Sequence, residues 1–299
     1  MKIDAIFAAD IHLREDTPVC RTDDFWLAQL RKVRFIKELI NKHNCPLFIA
    51  GDIFNKARTS PYVEGMAIAE MPKFWGIPGQ HDLPGHNMSN FDRSSLNVLM
   101  QARIFNLLTT DCKDTTLHQS SIGICGFPFG FNLFKSETKK KFKRKVALIH
   151  DMVHKKKAIH ENVQSNSGIA LLKNNNYDLI VSGDNHQSFV CEYKNKILIN
   201  CGSMMRIAAG QEDHKPCVWA WDSDTNEVKA IYLPIEKEVI SREHIEFQQE
   251  KENRMESFVK RVNTNYEIKL SFENNLISYF KKNKTRKGIK EKMYQAMEE

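Results

Sequence analysis

The sequence predicts an α/β fold in which two mixed β-sheets pack face to face, with helices outside them and a helical appendage at the C-terminus. Three observations lead to this prediction. Short apolar runs of β type recur through the first 235 residues, helical patterns separate the early runs, and the composition changes after Pro234. Strand, helix and strand in succession near the N-terminus indicate a βαβ unit with parallel strands.

Nine apolar runs have the length and composition of β-strands. They occupy residues 3–9, 47–50, 74–77, 122–127, 146–149, 179–182, 197–200, 218–221 and 228–233. The clearest helix follows Asp23 and Asp24, either of which could cap it, and its apolar residues keep a 3.6-residue spacing from Trp26 to Ile40. Further helix candidates are residues 61–70, 92–102 and 161–173. The strands at 189–233 have no helix between them, which indicates an antiparallel meander.

The C-terminal part of the chain differs in composition from the domain predicted at residues 1–235. Residues 236–299 are rich in Glu, Lys, Arg and Asn, and their apolar residues are sparse and helically spaced. We expect a mainly helical region that ends in a hairpin of two helices, capped by Ser271 and Thr285. The apolar stripes of this hairpin contain Phe272, Leu276, Phe280, Ile289 and Met293. The stripes either pack within the protein or cover a partner.

Composition limits the class of protein. Of the 299 residues, 41% are hydrophobic and 27% charged, which is ordinary for a globular protein. No apolar run approaches the ~20 residues of a membrane span, and the N-terminus is too short and acidic for a signal peptide. We therefore expect a cytoplasmic protein with no membrane partner.

The seven Cys include no C-x-x-C pair, which favours buried, reduced thiols. A net charge of +7 suits an anionic partner such as nucleic acid.

Five segments of the first domain begin with an apolar run and end in Asp or His. The residues at these ends are Asp10, His12, Asp52, His81, Asp82, His150, Asp184 and His186. Ligands gather beyond the carboxyl ends of strands in open α/β sheets, so these side chains could converge on one point. Each segment alone would more often be a turn, a cap or an ordinary strand-end histidine. Their repetition favours a metal site.

The ordered set of these residues resembles the signature of calcineurin-like metallophosphoesterases. The resemblance covers most of residues 1–235 and implies a two-metal centre. In that centre Asp10, His12 and His186 hold the first cation, and Asp52 bridges to the second. The second cation is held by Gln80, His150 and Asp184. Oxygen-rich ligands favour Mn²⁺, or alternatively Mg²⁺. The family's chemistry is attack on phosphorus by a hydroxide that the two metals activate.

Two further residues of the signature have catalytic roles by the same resemblance. His81 would act as the general acid near the leaving oxygen, and Asp82 would hold its ring, although a turn cap is the alternative for Asp82. The sequence departs from the family pattern at Gln80, usually Asn, and at Asp184, usually His. Both can still present an oxygen to a metal. Asn55 occupies a place where nucleases of the family often carry a second His.

A narrower resemblance concerns residues 200–222. The Gly202-Ser203-x-x-Arg206 stretch resembles SbcD-type nuclease subunits, some of which are phage-encoded and act in the host cytoplasm. This implies a metal-dependent DNA exonuclease or endonuclease of recombination or repair. The C-terminal helices would then grip an SbcC-type ATPase, and the early helices could form a homodimer. The candidate DNA contacts, with a solvated loop or a structural ion pair as their alternatives, are Lys140, Lys141, Lys143, Arg144 and Arg206.

Two other functions remain open at this stage. The metal centre alone does not choose between a nuclease and a metallophosphatase or cyclic-nucleotide phosphodiesterase acting on small substrates or phosphoproteins. A non-catalytic scaffold that retains the fold is the third alternative.

Overall fold

The computed structural model describes residues 1–117, 120–156, 165–269 and 272–298. The chain forms two compact units, residues 1–241 and 242–299. The first unit continues six residues beyond the boundary predicted at 235. Leu233 and Val239 are buried, and Ile240 forms a β-bridge with Arg21.

The first unit contains fourteen strands within the described residues. They are β1 (Ala5–Ala8), β2 (Leu47–Ala50), β3 (Phe74–Ile77), β4 (Phe105–Leu107), β5 (Lys113–Leu117), β6 (Ser120–Phe127), β7 (Arg144–His150), β8 (Val153–His154), β9 (Asn166–Ser167), β10 (Leu179–Gly183), β11 (Phe189–Tyr193), β12 (Lys196–Asn200), β13 (Cys217–Asp222) and β14 (Glu227–Tyr232). The helices of this unit are α1 (Phe25–His43), α2 (Pro61–Glu70), α3 (Ser95–Gln101) and α4 (Gly168–Asn174).

Two six-stranded mixed sheets form the sandwich that the sequence predicts. The first sheet has the order β14-β13-β1-β2-β3-β4, and the second has the order β11-β12-β10-β7-β6-β5. The central strands of each sheet pair in parallel, and antiparallel pairs lie at one edge of the first sheet and at both edges of the second. The apolar layer between them includes Phe7, Phe48, Leu148, Val181 and Trp221, all fully buried. Because β1, β2, β7 and β10 lie centrally, their carboxyl ends approach one another.

All nine predicted strand segments are strands in the structure, but the predicted meander is wrong. β11 and β12 form a hairpin of the second sheet, whereas β13 and β14 form a hairpin of the first. The chain therefore crosses between sheets at residues 201–216. The sequence could not indicate this crossing, because β-type periodicity does not say which sheet a strand joins.

The predicted helices of this unit are present, and α2 has the predicted bounds of 61–70, whereas the other bounds differ. Asp24 caps α1 by accepting a hydrogen bond from the Leu27 N–H, at 2.9 Å. The helix predicted at 92–102 contracts to α3, and that predicted at 161–173 corresponds to α4, with residues 161–164 outside the described residues. The thiol prediction is wrong for one pair, because Cys112 and Cys125 form a disulfide. Cys45 and Cys201 are buried free thiols, as expected.

The second unit consists of three helices in its described residues, α5 (Glu243–Lys269), α6 (Phe272–Lys282) and α7 (Lys287–Glu298). Phe280 of α6 lies edge-on to Tyr294 of α7, with 5.8 Å between ring centroids. Leu276 and Phe280 are buried, whereas Ile289 and Met293 are 51% and 38% exposed. Phe272 begins α6, and the structure does not describe its side chain. Every helix in the described part of the chain is too short or too polar to span a bilayer.

Candidate metal centre

Side chains from the ends of four central strands meet at one point in the first unit. Asp10, His12 and His186 each offer a ligand atom, and these three atoms lie within 4.8 Å of one another. The same holds for Asp10, Asp52 and His150. The Nε2 atoms of His12 and His186 are 3.1 Å apart. Two overlapping groups of potential ligands therefore share this pocket.

The turns that aim these side chains are conformationally costly. Asp10, His12, Asp52 and Asp184 all have positive φ, at 51°, 49°, 52° and 80°. Non-glycine residues rarely adopt this region, and such strain gathers at functional sites because the surrounding structure must hold it. Gly51, at φ 91°, could not be replaced easily, since a Cβ there would lie 2.2 Å from the His150 ring. The close approach of Gly51 lets β2 and β7 bring their ligands together.

Asp52 lies at the middle of the site. Its Oδ1 accepts a hydrogen bond from the His81 N–H at 2.9 Å. Its Oδ2 lies 3.7 Å from His12 Nε2 and 3.4 Å from His150 Nε2. His150 donates its Nδ1–H to the Ala50 carbonyl at 2.7 Å, so that in the neutral ring the lone pair of Nε2 is directed toward Asp52.

Four buried atoms at this site have no hydrogen-bond partner among the described residues. They are Asp52 Oδ2, His150 Nε2, His12 Nδ1 and the Gln80 side-chain oxygen, and the first two face each other at 3.4 Å. Burying such atoms without partners costs free energy unless something satisfies them. A carboxylate oxygen, an imidazole nitrogen and an amide oxygen are all metal-ligand atoms. The donor set therefore fits a divalent cation.

Gln80 and Asp184, the two residues that differ from the family pattern, contact each other. The Gln80 amide donates to Asp184 Oδ1 at 2.7 Å, although the residues are 104 positions apart. This hydrogen bond fixes the amide so that its oxygen is the atom left without a partner. The backbone N–H of Asp184 in turn donates to the Asp10 carboxylate at 3.0 and 3.2 Å. Gln80 and Asp184 thus act as a matched pair.

Burial perturbs the ionisation of the cluster. It raises the pKa of Asp10 to about 7 and lowers the pKa of His12 to about 3. Burial opposes the charged forms of Asp52 and His150 too, but their mutual attraction outweighs it. The pKa of Asp52 is therefore lowered and that of His150 raised. A bound divalent cation would stabilise the carboxylates and require a neutral His150.

His81 and Asp82 do not act together as the resemblance implies. The exposed His81 ring donates its Nδ1–H to the Asn55 carbonyl at 3.0 Å and lies 4.9 Å from the His12 ring. The fully buried Asp82 carboxylate accepts backbone N–H groups from Ile53, Phe54 and Gly79. The correction follows from this geometry. Asn55 holds the His81 ring, and Asp82 ties the Asp52 turn to the Gln80 turn.

Four of the candidate DNA contacts form a basic cluster that does not lie beside the metal centre. Lys140, Lys141, Lys143 and Arg144 lie before or at the start of β7, whereas His150 ends that strand. Seven extended residues span about 20 Å, so the cluster lies at the opposite end of the sheet.

Most of these cations have acidic partners at that end. Lys140 pairs with Asp114 and Lys143 with Asp224, and Arg144 lies 3.4 Å from Asp178. Lys141 is exposed. This arrangement favours the alternative of a solvated, ion-paired loop.

Arg206 is also placed away from solvent. Its side chain is buried and donates to the backbone carbonyls of Glu212 and Glu236, at 3.1 and 2.6 Å. This placement corrects the expectation of a phosphate contact, because the guanidinium bonds to the backbone both within the chain crossing and after it.

The backbone of the crossing at residues 201–216 also contacts the candidate metal centre. The Met204 N–H donates to the Asp10 carbonyl at 3.0 Å, and the Ser203 N–H donates to the His186 carbonyl at 3.1 Å.

Sequence reasoning missed Asn200, which supports the His186 loop. Its buried amide donates to the carbonyls of Asn185 and Gln187, at 2.5 and 2.6 Å. The signal was available, since Asn200 ends an apolar run in the same way as the acidic residues do.

The family model described as calcineurin-like phosphoesterase matches residues 4–188. No curated protein sequence matches the chain. A putative 5'-nucleotidase from Staphylococcus aureus, solved with alpha-ketoglutarate, has a TM-score of 0.50 at 13% identity, over 83% of this chain and 58% of that chain. At this identity the likeness concerns the fold alone.

Two other solved structures are more distant in shape. An archaeal phosphodiesterase has a TM-score of 0.41 at 14% identity, over 77% of this chain and 99% of that chain. A metallophosphoesterase from Sphaerobacter thermophilus has a TM-score of 0.37 at 9% identity, over 78% and 89% of the two chains. These scores are too low to support any argument about function.

Proposed function

The chain belongs to the calcineurin-like phosphoesterase family of metal-dependent hydrolases, and from this premise we propose that it is a DNA nuclease of the SbcD type. The observation that carries the catalytic part is the convergence of buried ligand atoms around Asp52, several of which have no hydrogen-bond partner among the described residues. We assign Asp10, His12 and His186 to one cation, and Asp52 to a position between the two. The other cation would be held by Gln80, His150 and Asp184.

Two divalent cations, when bound, supply Lewis acidity and lower the pKa of water near phosphorus. The chain's own residues would protonate the leaving oxygen and hold the turns that carry the metal ligands. The Asn55 carbonyl fixes the His81 ring through Nδ1, so that in the protonated ring Nε2–H can be donated to the leaving oxygen. His81 is exposed, which allows it to reach a substrate that arrives from solvent. The Asp82 carboxylate fixes the turn that carries Asp52 relative to the turn that carries Gln80.

Support for DNA as the substrate comes from residues 200–222. This segment carries the nuclease resemblance, and its backbone bonds directly to Asp10 and His186. The net charge of +7 adds sequence-independent attraction to phosphates. The basic cluster at the start of β7 no longer supports the proposal, because it lies about 20 Å from His150.

The test is cleavage of linear and circular DNA by the purified chain, with Mn²⁺, with Mg²⁺ and with a chelator. We expect metal-dependent cleavage, and loss of linear DNA alone would indicate an exonuclease. Asp52→Ala serves as the inactive control for contaminating nucleases. Hydrolysis of a phosphomonoester without DNA cleavage would contradict the nuclease and favour the phosphatase alternative. Failure to bind Mn²⁺ by calorimetry would favour the non-catalytic scaffold.

We extend the proposal to partners through the second unit. Among the stripe residues whose side chains the structure describes, Ile289 and Met293 are the exposed ones, so these two would contact an SbcC-type ATPase. Truncation after Ser241 should leave metal binding intact and abolish co-purification with the ATPase. Cutting at Pro234 is unsuitable, because Val239 is buried in the first unit. Retention of the ATPase by the truncated chain would contradict this contact. A homodimer is proposed by analogy only, and sedimentation tests it.

A further inference from the structure

A cleft of about 660 Å³ opens beside the metal centre, a volume within the range of small-molecule sites. His186 belongs to both, since its imidazole lies 3.1 Å from the His12 imidazole and it also lines the cleft. The other lining residues used below are Phe189, Gln211, His214, Trp219 and Tyr232. A phosphoester held at the metal centre therefore has this space next to it.

One side of the cleft is aromatic. Phe189 begins β11 of the second sheet, and Trp219 and Tyr232 belong to β13 and β14 of the first. The register pairs Trp219 with Ala230 and Tyr232 with Cys217, which puts these side chains on the same sheet face. The Trp219 indole N–H donates to the Ser188 hydroxyl at 3.2 Å. Tyr232 is 62% exposed at the edge of its sheet.

The other side of the cleft is polar and held rigidly. Gln211 accepts the N–H groups of Ile207 and Ala208 through its side-chain oxygen and donates to Ser203, at 2.7, 3.1 and 2.9 Å. The His214 Nε2–H donates to the Ser203 carbonyl at 2.8 Å, which leaves Nδ1 of the neutral ring as an acceptor. Ser203 itself donates to the His186 carbonyl. The polar wall and the candidate metal ligand thus form one connected structure.

We propose that this cleft binds the nucleobase of the nucleotide whose phosphate lies at the metal centre. A planar heterocycle with a polar edge fits a space with aromatic side chains on one wall and fixed hydrogen-bonding groups on the other. The inference rests on the proposed function, because it assumes that the substrate is a nucleic acid. In each turnover, one nucleotide of that substrate leaves the base stack and places its base in the cleft. The inference assigns Tyr232 as the specificity residue that the base stacks on.

The experiment compares two ligands that differ only in the base. Binding of dAMP and of 2-deoxyribose 5-phosphate to the Mn²⁺-loaded full chain is measured by calorimetry. We expect dAMP to bind about tenfold more tightly, since stacking on one aromatic side chain contributes at this scale. Tyr232→Ala should weaken dAMP about tenfold and leave deoxyribose 5-phosphate unchanged. Tyr232→Phe should retain the preference.

Tyr62→Ala is the matched control, because Tyr62 is 60% exposed but lies on α2. Equal affinity for the two ligands, no detectable dAMP binding, or equal weakening of both by Tyr232→Ala would each overturn the assignment. The outcomes separate the two proposals. A base preference without DNA cleavage rejects the nuclease and keeps the cleft as a nucleotide site, whereas DNA cleavage without a base preference rejects only the cleft.

Discussion

Replacing Asp82 by alanine should destabilise the protein strongly, although Asp82 is not assigned to the chemistry. Its carboxylate accepts the backbone N–H groups of Ile53, Phe54 and Gly79 at 2.9–3.2 Å, and it is fully buried. Each donor left without a partner costs about 1–3 kcal/mol. Burial raises the pKa of Asp82 to about 7, which shows that the carboxylate itself is costly to bury and offsets part of the loss. The net loss should be about 3–5 kcal/mol, out of a typical 5–15.

The assay is urea unfolding of metal-free protein in chelator, with Asp82→Ala, Asp82→Asn and the wild type side by side. Asp82→Asn should fall between the other two, because its amide retains one acceptor oxygen. Asp92→Ala is the control, since Asp92 is exposed and its loss should change stability by less than about 0.5 kcal/mol. A loss below about 1 kcal/mol for Asp82→Ala, together with reduced turnover, would refute the reasoning and restore the idea that Asp82 acts on His81.

Three further outcomes are expected. His81→Ala should keep both metals and lose turnover by about 10²–10⁴-fold, whereas Asp52→Ala should lose the metals themselves. Calorimetry with Mn²⁺ separates these variants, and equal metal loss in both would contradict the assigned roles. Because Gln80 and Asp184 bond to each other, the double variant Gln80→Asn with Asp184→His should bind the second metal more tightly than either single variant, and additive effects would contradict the pairing. Burial lowers the pKa of Lys32 from 10.5 to about 7. The unfolded chain therefore binds more protons than the folded one between these values, and stability from this group rises with pH across that window. Lys32→Met should raise the melting temperature most at pH 7 and below, and a gain that does not shrink by pH 9 would argue against a neutral Lys32.

The sequence predicted the parts of the site that depend on strand ends. Asp10, Asp52, His150 and Asp184 each follow an apolar run, and the carboxyl ends of central strands converge by the geometry of the sheets. Proximity along the chain does not indicate proximity in space at two places. Arg144 is six residues from His150 but lies at the other end of an extended strand. Asp82 follows His81 directly, yet its side chain points to the backbone of another turn.

Contacts between distant segments were beyond the reach of sequence reasoning. The bond between Gln80 and Asp184 spans 104 residues, and neither residue alone indicates the other. The crossing at 201–216 was invisible for a similar reason. Its hydrogen bonds to Asp10 and His186 use backbone atoms of Met204 and Ser203, which every residue type carries. The cleft beside His186 likewise depends on how two sheet edges and one loop lie in space.

The most direct test of the two-cation centre is anomalous diffraction from crystals of the full chain soaked in Mn²⁺. We predict two manganese peaks about 3.5–4 Å apart, the first touching Asp10, His12 and His186 and the second touching Gln80, His150 and Asp184, with Asp52 reaching both. A single peak, or peaks away from Asp52, would contradict it.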